Sequence, residues 1–209
     1  MRVKICGITN YKDAQAACRF GADALGFVFA KGPRRITPDK AKRIIKKLPP
    51  HIVTVGVFVD EKKDKVLEIA RDCRLDCLQL HGNESPGYCK GLKKYYRIIK
   101  AVRVSGRESL KRLKGYDVGA FLLDSYVKGK IGGTGIKFDW ALAAEAKKSG
   151  RRVRIPVILA GGLDPANIEE AIRRVRPYAV DASSGLESSP GRKDHGLVKK
   201  FIEKIRKTN

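Results

Sequence analysis

VKICGI (3–8), an amphipathic stretch, then ALGFVF (24–29): a short apolar, β-branched run leads through a helix-period segment into another short run. The pattern recurs to the end of the chain, in IVTVGVFV (52–59), CLQLHG (77–82), RIIKAVRV (97–104), AFLLDSY (120–126), VILAGGL (157–163) and YAVDASSG (178–185). Such alternation is the signature of parallel strands joined by crossover helices. Eight βα units of similar length predict an α/β protein built as a single (β/α)8 TIM barrel. An open doubly wound sheet commonly uses fewer strands and has no place for eight equal units.

Helix starts support this division. Thr37-Pro38, Ser85-Pro86 and Asp164-Pro165 each place a capping residue before a proline suited to the first helical position. No linker, low-complexity tract or shift of composition interrupts the chain, so residues 1–209 are expected to form one domain. The longest irregular stretch runs from Val127 to Lys137 and carries Gly129, Gly132, Gly133 and Gly135. Loops of that length in compact domains are usually functional, which makes this one a candidate lid.

Composition narrows the function classes. With 43% apolar residues the chain can bury a sizeable core and is not disordered. Forty-five Lys and Arg against 22 Asp and Glu give a net charge of +23. Phosphorylated metabolites, nucleic acid and anionic membrane surfaces are all compatible with that charge. The basic residues are spread, however, over predicted helices (Lys40, Lys42, Arg43, Lys46, Lys47; Arg173, Arg174; Lys199, Lys200, Lys204) and read first as solvated outer faces. The five cysteines, Cys6, Cys18, Cys73, Cys77 and Cys89, lack the spacing of a zinc site. The amino terminus has no apolar signal stretch and no run approaches the roughly 20 apolar residues of a membrane span, so a reducing cytoplasm is expected.

In a barrel of this kind the reactive groups sit at the carboxyl ends of the strands, and side chains alternate between the interior and the helix layer. Parity therefore becomes a site map. Val3 and Ile5 belong against helices, which turns Lys4 and Cys6 inward. Asp124 shares a face with Leu122, His81 with Gln79, and Ser183 with Asp181. A thiol at the barrel mouth is either packing or a base, and a base needs a cation nearby. Lys4 could be that cation, or a structural lysine paired with Asp181. Asp124, at the end of an apolar run, is a general acid if its environment keeps it protonated and a solvated strand end otherwise. His81 could shuttle protons or simply tie down a strand end.

Ala160-Gly161-Gly162 and Ser183-Ser184-Gly185 end the last two strands, where barrels often bind phosphate through backbone N–H groups and hydroxyls. Gly133, within Gly132-Gly133-Thr134-Gly135, could belong to a further phosphate cradle or to a hinge. Arg34, in the loop after the second strand, can hold a carboxylate with its planar guanidinium.

VKICGIT (3–9), GADALGFVF (21–29), PRRITP (33–38), LQLHGNE (78–84), LLDS (122–125), GGTG with FDW (132–135, 138–140), LAGGLDPANI (159–168) and VDASSGLESSPGRKDH (180–195) together resemble the phosphoribosylanthranilate isomerase family of tryptophan biosynthesis. The likeness spans nearly the whole chain. It implies an Amadori rearrangement of N-(5-phosphoribosyl)anthranilate to 1-(2-carboxyphenylamino)-1-deoxyribulose 5-phosphate, with no metal or organic cofactor. It implies Cys6 as general base and Asp124 as general acid. Arg34 would bind the anthranilate carboxylate, and Gly161, Gly162, Ser183, Ser184 and Gly185 the phosphate. The implied partner is a phosphorylated small molecule, without nucleic acid or membrane, for a monomer or homodimer. Two features depart from the family's pattern: Arg35 stands where many relatives carry an aromatic residue, and the net charge is higher. Barrels performing the analogous rearrangement in histidine biosynthesis are similar but resemble a pair of aspartates at the acid and base positions, and Cys6 argues against that reading.

Overall fold

The computed structural model describes residues 1–104, 106, 108–109, 113–125, 140 and 155–208. Eight strands, β1 (Arg2–Cys6), β2 (Ala24–Val28), β3 (Val53–Phe58), β4 (Cys77–Leu80), β5 (Arg97–Val104), β6 (Ala120–Ser125), β7 (Val157–Leu159) and β8 (Ala179–Ala182), close into a barrel in chain order. Every neighbouring pair is parallel, and β1 joins β8 with Lys4 opposite Asp181. The helices among the described residues are α1 (Tyr11–Phe20), α2 (Pro38–Ile45), α3 (Lys63–Asp72), α4 (Pro86–Lys93), α5 (Ile168–Val175) and α6 (His195–Thr208). None is long and apolar enough to cross a membrane.

Strand alternation produces two shells of apolar packing. Val55, Cys77, Ile99, Ala101, Ala120, Leu122, Ile158, Ala160 and Ala179 fill the barrel, while Val3, Ile5, Leu25, Phe27, Leu78, Ile98 and Leu123 meet the helices. Helix α5 shows the helical half of the code: Ile168, Ala171, Ile172 and Val175 are buried at the spacing of one face, and Glu169, Glu170, Arg173 and Arg174 flank it. Fully burying each such isoleucine or valine is worth about 1.5–3 kcal/mol. The basic residues assigned to helix faces are exposed, except that Lys204 is half-buried against Glu169 at 2.6 Å.

Thr37 and Ser85 cap α2 and α4, accepting hydrogen bonds from the amides of Lys40 and Tyr88. Asp164-Pro165 departs from that pattern. Asp164 accepts from the amides of Ala166 and Asn167 in a turn, so α5 begins only at Ile168. Several strands also stop earlier than their apolar runs. β7 ends at Leu159 because Gly161 and Gly162 adopt φ of 88° and 64°, and β8 gives way to a 3-10 turn over Ser184–Leu186. A short hairpin of β9 (Glu187–Ser189) and β10 (Arg192–Lys193) then precedes α6, an element the alternation does not announce. The glycine-rich stretch from Val127 to Lys137, with Gly133, lies outside the described residues.

Candidate active site

Cys6 ends β1 facing inward, as parity requires, and is 7% exposed. Its neighbour in register is Gly26 of β2, where an added Cβ would stand 2.6 Å from Cys6 Sγ. The missing side chain is what makes room for the thiol. Below it Lys4 donates to Asp181 Oδ2 at 2.9 Å, both groups buried. Lys4 is thus the structural partner of Asp181, and it also faces the thiol. Burial pushes the Cys6 thiol up from its ordinary value, and the pull of Lys4, opposed by Asp181, does not reverse that. Burial lowers the Lys4 ammonium's proton affinity, but Asp181 and Cys6 outweigh it and hold the pKa above normal.

Gly7, at φ 79°, follows Cys6 and carries the stem of Arg34 across it, with Ser183 Oγ alongside. Arg34 Nε and Nη2 grip Glu187 of β9 at 2.8 and 2.7 Å, so the fork expected to meet a ligand carboxylate already holds a protein one. Nη1 is the edge that makes no contact with Glu187. Arg35 is exposed, whereas Arg34 turns inward. The two arginines part where a turn, closed by the Arg35 amide on the Gly32 carbonyl at 3.1 Å, meets a bridge that ties Arg35 to Val28, with the Ile36 amide on the Val28 carbonyl at 2.9 Å. Lys193 of β10, its side chain fully buried, binds Glu187 Oε1 at 2.8 Å and the Ser183 carbonyl at 3.1 Å. Burial raises Glu187, yet Arg34 and Lys193 bring it below the usual carboxylate range, while burial leaves Lys193 below the usual lysine range.

Across the mouth, Asp124, one residue before the end of β6, is partly exposed and lies 3.2 Å from His81 Nε2. Gln79 Nε2 lies 2.9 Å from His81 Nδ1. With the amide nitrogen turned to the ring, Nδ1 is the acceptor and the ring proton belongs on Nε2; with the amide turned over, the assignment reverses. Arg103 stands beside Asp124 in register on β5 and is exposed. The loop that follows His81 is anchored from outside the barrel. Glu84 accepts from the amides of Gly82 and Asp60 at 3.0 Å, and is itself held by Lys100 at 2.9 Å. Lys100 also donates to the carbonyls of Leu80, Gly82 and Ala101. Asp60 takes a φ of 48° under that constraint.

The two loops assigned to an anion are in backbone contact, since a side chain on Gly185 would strike the Leu163 carbonyl. Asn167 fixes the first loop, donating to the Gly162 carbonyl at 2.8 Å and accepting from the Asp164 amide at 3.0 Å. Gly162 faces open space. Ser183 Oγ donates to the Cys6 carbonyl at 3.1 Å, so a hydroxyl that the sequence offers to an anion is committed to closing β8 onto β1.

The structure thus brings Cys6, Lys4, Asp181, Arg34 and Ser183 together at β1 and β8, and His81 and Asp124 at β4 and β6, all at one end of the barrel. Sequence reasoning missed the contributions of Gly26, Gln79, Arg103, Glu187 and Lys193. Interior parity already placed Gln79 with His81, and Glu187 and Lys193 belong to a motif noted only as a whole. Among the described residues no cluster of three His, Cys, Asp or Glu has the arrangement of a metal site. What the mouth offers is a thiol flanked by cations, a carboxylate backed by an imidazole, and an arginine beside two glycine-rich turns.

Comparison with known proteins places this arrangement in a lineage. Residues 3–204 match the family model described as N-(5'phosphoribosyl)anthranilate isomerase. The N-(5'-phosphoribosyl)anthranilate isomerase of Geobacter sp. strain M21 is 52% identical over 207 residues, covering 99% of this chain and 98% of that one. The crystal structure of phosphoribosyl anthranilate isomerase from Thermotoga maritima superposes with a TM-score of 0.90 at 42% identity, covering 99% of both chains. A phosphoribosyl anthranilate isomerase in complex with reduced 1-(o-carboxyphenylamino)-1-deoxyribulose 5-phosphate is 40% identical, with a TM-score of 0.86 and 99% coverage of each chain. With the match running through the barrel from first strand to last helix, the chain belongs to the N-(5'phosphoribosyl)anthranilate isomerase family.

Proposed function

We propose that Cys6 and Asp124 divide the two proton transfers of an Amadori rearrangement at this mouth, with Arg34 and the last two βα turns holding the ends of the substrate. The activity itself, isomerisation of N-(5'-phosphoribosyl)anthranilate in tryptophan biosynthesis, comes with membership of the family. The division of labour follows from the chemistry. Asp124 gives a proton to the furanose ring oxygen, the carbon–oxygen bond breaks, and the sugar opens to a Schiff base. Cys6, as the thiolate, then takes the proton from carbon 2 and becomes the thiol, leaving an enolamine that tautomerises to the ketone. Oxidation at carbon 2 balances reduction at carbon 1 within one molecule, so the balance calls for no external oxidant or reductant. Each proton-transfer group contributes typically 10²–10⁴-fold.

The observation that carries this reading is that Cys6 and Asp124 both lie within one residue of the carboxyl ends of strands of one barrel, at the same mouth. Burial keeps the free thiol protonated, so the thiolate that acts is the scarcer form and a strong base, and the positive Schiff base acidifies the hydrogen it removes. Lys4 and Lys193 favour the thiolate before it takes the proton. The free edge of Arg34 takes the anthranilate carboxylate, and the backbone of Gly161, Gly162, Ser183, Ser184 and Gly185 takes the phosphate. The protein acts in the cytoplasm on a phosphorylated small molecule, as a monomer or homodimer, with neither nucleic acid nor membrane as partner. Mixing purified protein with freshly prepared N-(5-phosphoribosyl)anthranilate tests the reading. Loss of the anthranilate-type fluorescence at a rate proportional to enzyme supports it; decay at the uncatalysed rate refutes it.

A further inference from the structure

Gln79 sits 1% exposed inside the barrel with its amide nitrogen on His81 Nδ1, while its Oε1 has no partner among the described residues. Its register neighbours are Val57 on β3 and Ile99 on β5, both apolar, and Cys77 lies beneath it on the same strand. Among the described residues, the one side chain hydrogen-bonded to the amide is His81. The oxygen and nitrogen of a carboxamide occupy nearly the same volume, and half a turn about the last side-chain bond exchanges them without repacking.

The two orientations select different proton inventories. With the nitrogen toward the ring, Nδ1 must be a lone pair, Nε2 carries the hydrogen, and Asp124 receives it as a carboxylate. That pair holds no proton for a general acid to deliver. With Oε1 toward the ring, Nδ1 carries a hydrogen, and a second proton can lie between Nε2 and Asp124 Oδ2. We propose that the Gln79 carboxamide sets the proton load of the His81–Asp124 pair by half a rotation, Nε2 toward the ring when the pair is empty and Oε1 toward it when the pair carries the proton Asp124 delivers.

Gln79 is accordingly a positioning residue acting through His81, and the inference rests on the reading of Asp124 as the acid. Delivery moves one proton from Asp124 to the substrate ring oxygen as the carbon–oxygen bond breaks. It leaves an Nε2 lone pair facing a carboxylate, an arrangement that favours uptake of the next proton from solvent, since the His81 and Asp124 side chains are 22% and 27% exposed. The charged groups around the pair are Arg103 beside Asp124 on β5, and Asp60 and Glu84, which hold the Gly82 loop next to His81. Of these, Arg103 favours the empty pair and the two carboxylates favour the loaded one.

Nitrogen-15 NMR of the ring nitrogens reads the state directly, and His81→Asn assigns the signals among the three histidines. In the free protein near neutral pH, the inference expects Nδ1 unprotonated and Nε2 protonated, with Nδ1 gaining its hydrogen as the pH falls. Gln79→Met, close in volume, should leave both tautomers in exchange and lower kcat about tenfold with little change in KM. Gln79→Glu, an acceptor in either orientation, should hold Nδ1 protonated to higher pH and move the alkaline fall of kcat upward by about one pH unit. Nδ1 protonated at every pH in the wild type, or a Gln79→Met protein with the wild-type tautomer and kcat profile, would overturn the role of Gln79. If Asp124→Asn retained wild-type kcat while the NMR matched, delivery through Asp124 would fall instead, and the reading of Asp124 as acid with it.

Discussion

Cys6 Sγ occupies the space that a β-carbon on Gly26 would need, 2.6 Å from where that carbon would stand. The glycine therefore fixes where the proposed base can sit although it has no chemistry of its own. Gly26→Ala should cost about 10²-fold in kcat, the penalty of displacing a reacting group by about an ångström. The circular dichroism spectrum should remain that of a folded barrel. Wild-type kcat in this variant would show that the position of the thiol does not matter.

Glu187 holds Arg34 from one side and Lys193 from the other. Glu187→Gln leaves the buried Lys193 cation without its counter-charge, and breaking a buried pair costs about 3–5 kcal/mol. Arg34 also loses its clamp, so KM should rise more than kcat falls. Because the folded carboxyl lies below its ordinary value of 4.5, its stabilisation is present above that pH and lost as pH falls below it. Urea midpoints between pH 3 and 6 should vary less in Glu187→Gln than in the wild type; parallel profiles would contradict the assignment.

Lys4 and Asp181 form a buried pair inside the barrel. Lys4→Met strands the aspartate and should cost about 3–5 kcal/mol, whereas adding Asp181→Leu should recover much of it. Activity should not return with stability, because the double variant still lacks the cation facing Cys6. Urea unfolding of the single and double variants decides the matter, and strictly additive losses would count against a coupled pair.

Buried thiols should make the fold sensitive to alkali. Burial raises Cys77 to about 12 and Cys73 and Cys89 to about 11, from an ordinary value of 9.0. Below pH 9 both folded and unfolded states keep these protons, so stability is unaffected. Above it only the unfolded chain releases them, and stability falls by about 1.4 kcal/mol per pH unit for each thiol. Denaturation at pH 8.5 and 10 measures the slope; Cys89→Ala should make it shallower, and an unchanged slope would rule out the thiols as its source.

Parity along single strands sufficed to turn Cys6, Asp124, His81 and Asp181 toward the interior, because a two-residue repeat is a local property of the chain. The contacts that organise those residues are not local. Arg34 meets Glu187 only after the barrel closes, and the contacts of Lys193 with Ser183 and of Lys100 with Glu84 depend on loop paths that no periodicity announces. Apolar character also outlasts the strands: VILAGGL reads as one run, but the left-handed glycines end β7 at Leu159. The same limit applies to Gln79, whose strand register is readable while the partner of its amide is not.

The most direct test of the central claim is the kcat of Cys6→Ser, followed by anthranilate-type fluorescence, beside its affinity for the reduced product analogue. A base that removes the carbon 2 proton predicts a loss of about 10²–10⁴-fold in kcat with binding of the analogue preserved. Turnover at the wild-type rate by Cys6→Ser would contradict the assignment and leave this mouth without its proposed base.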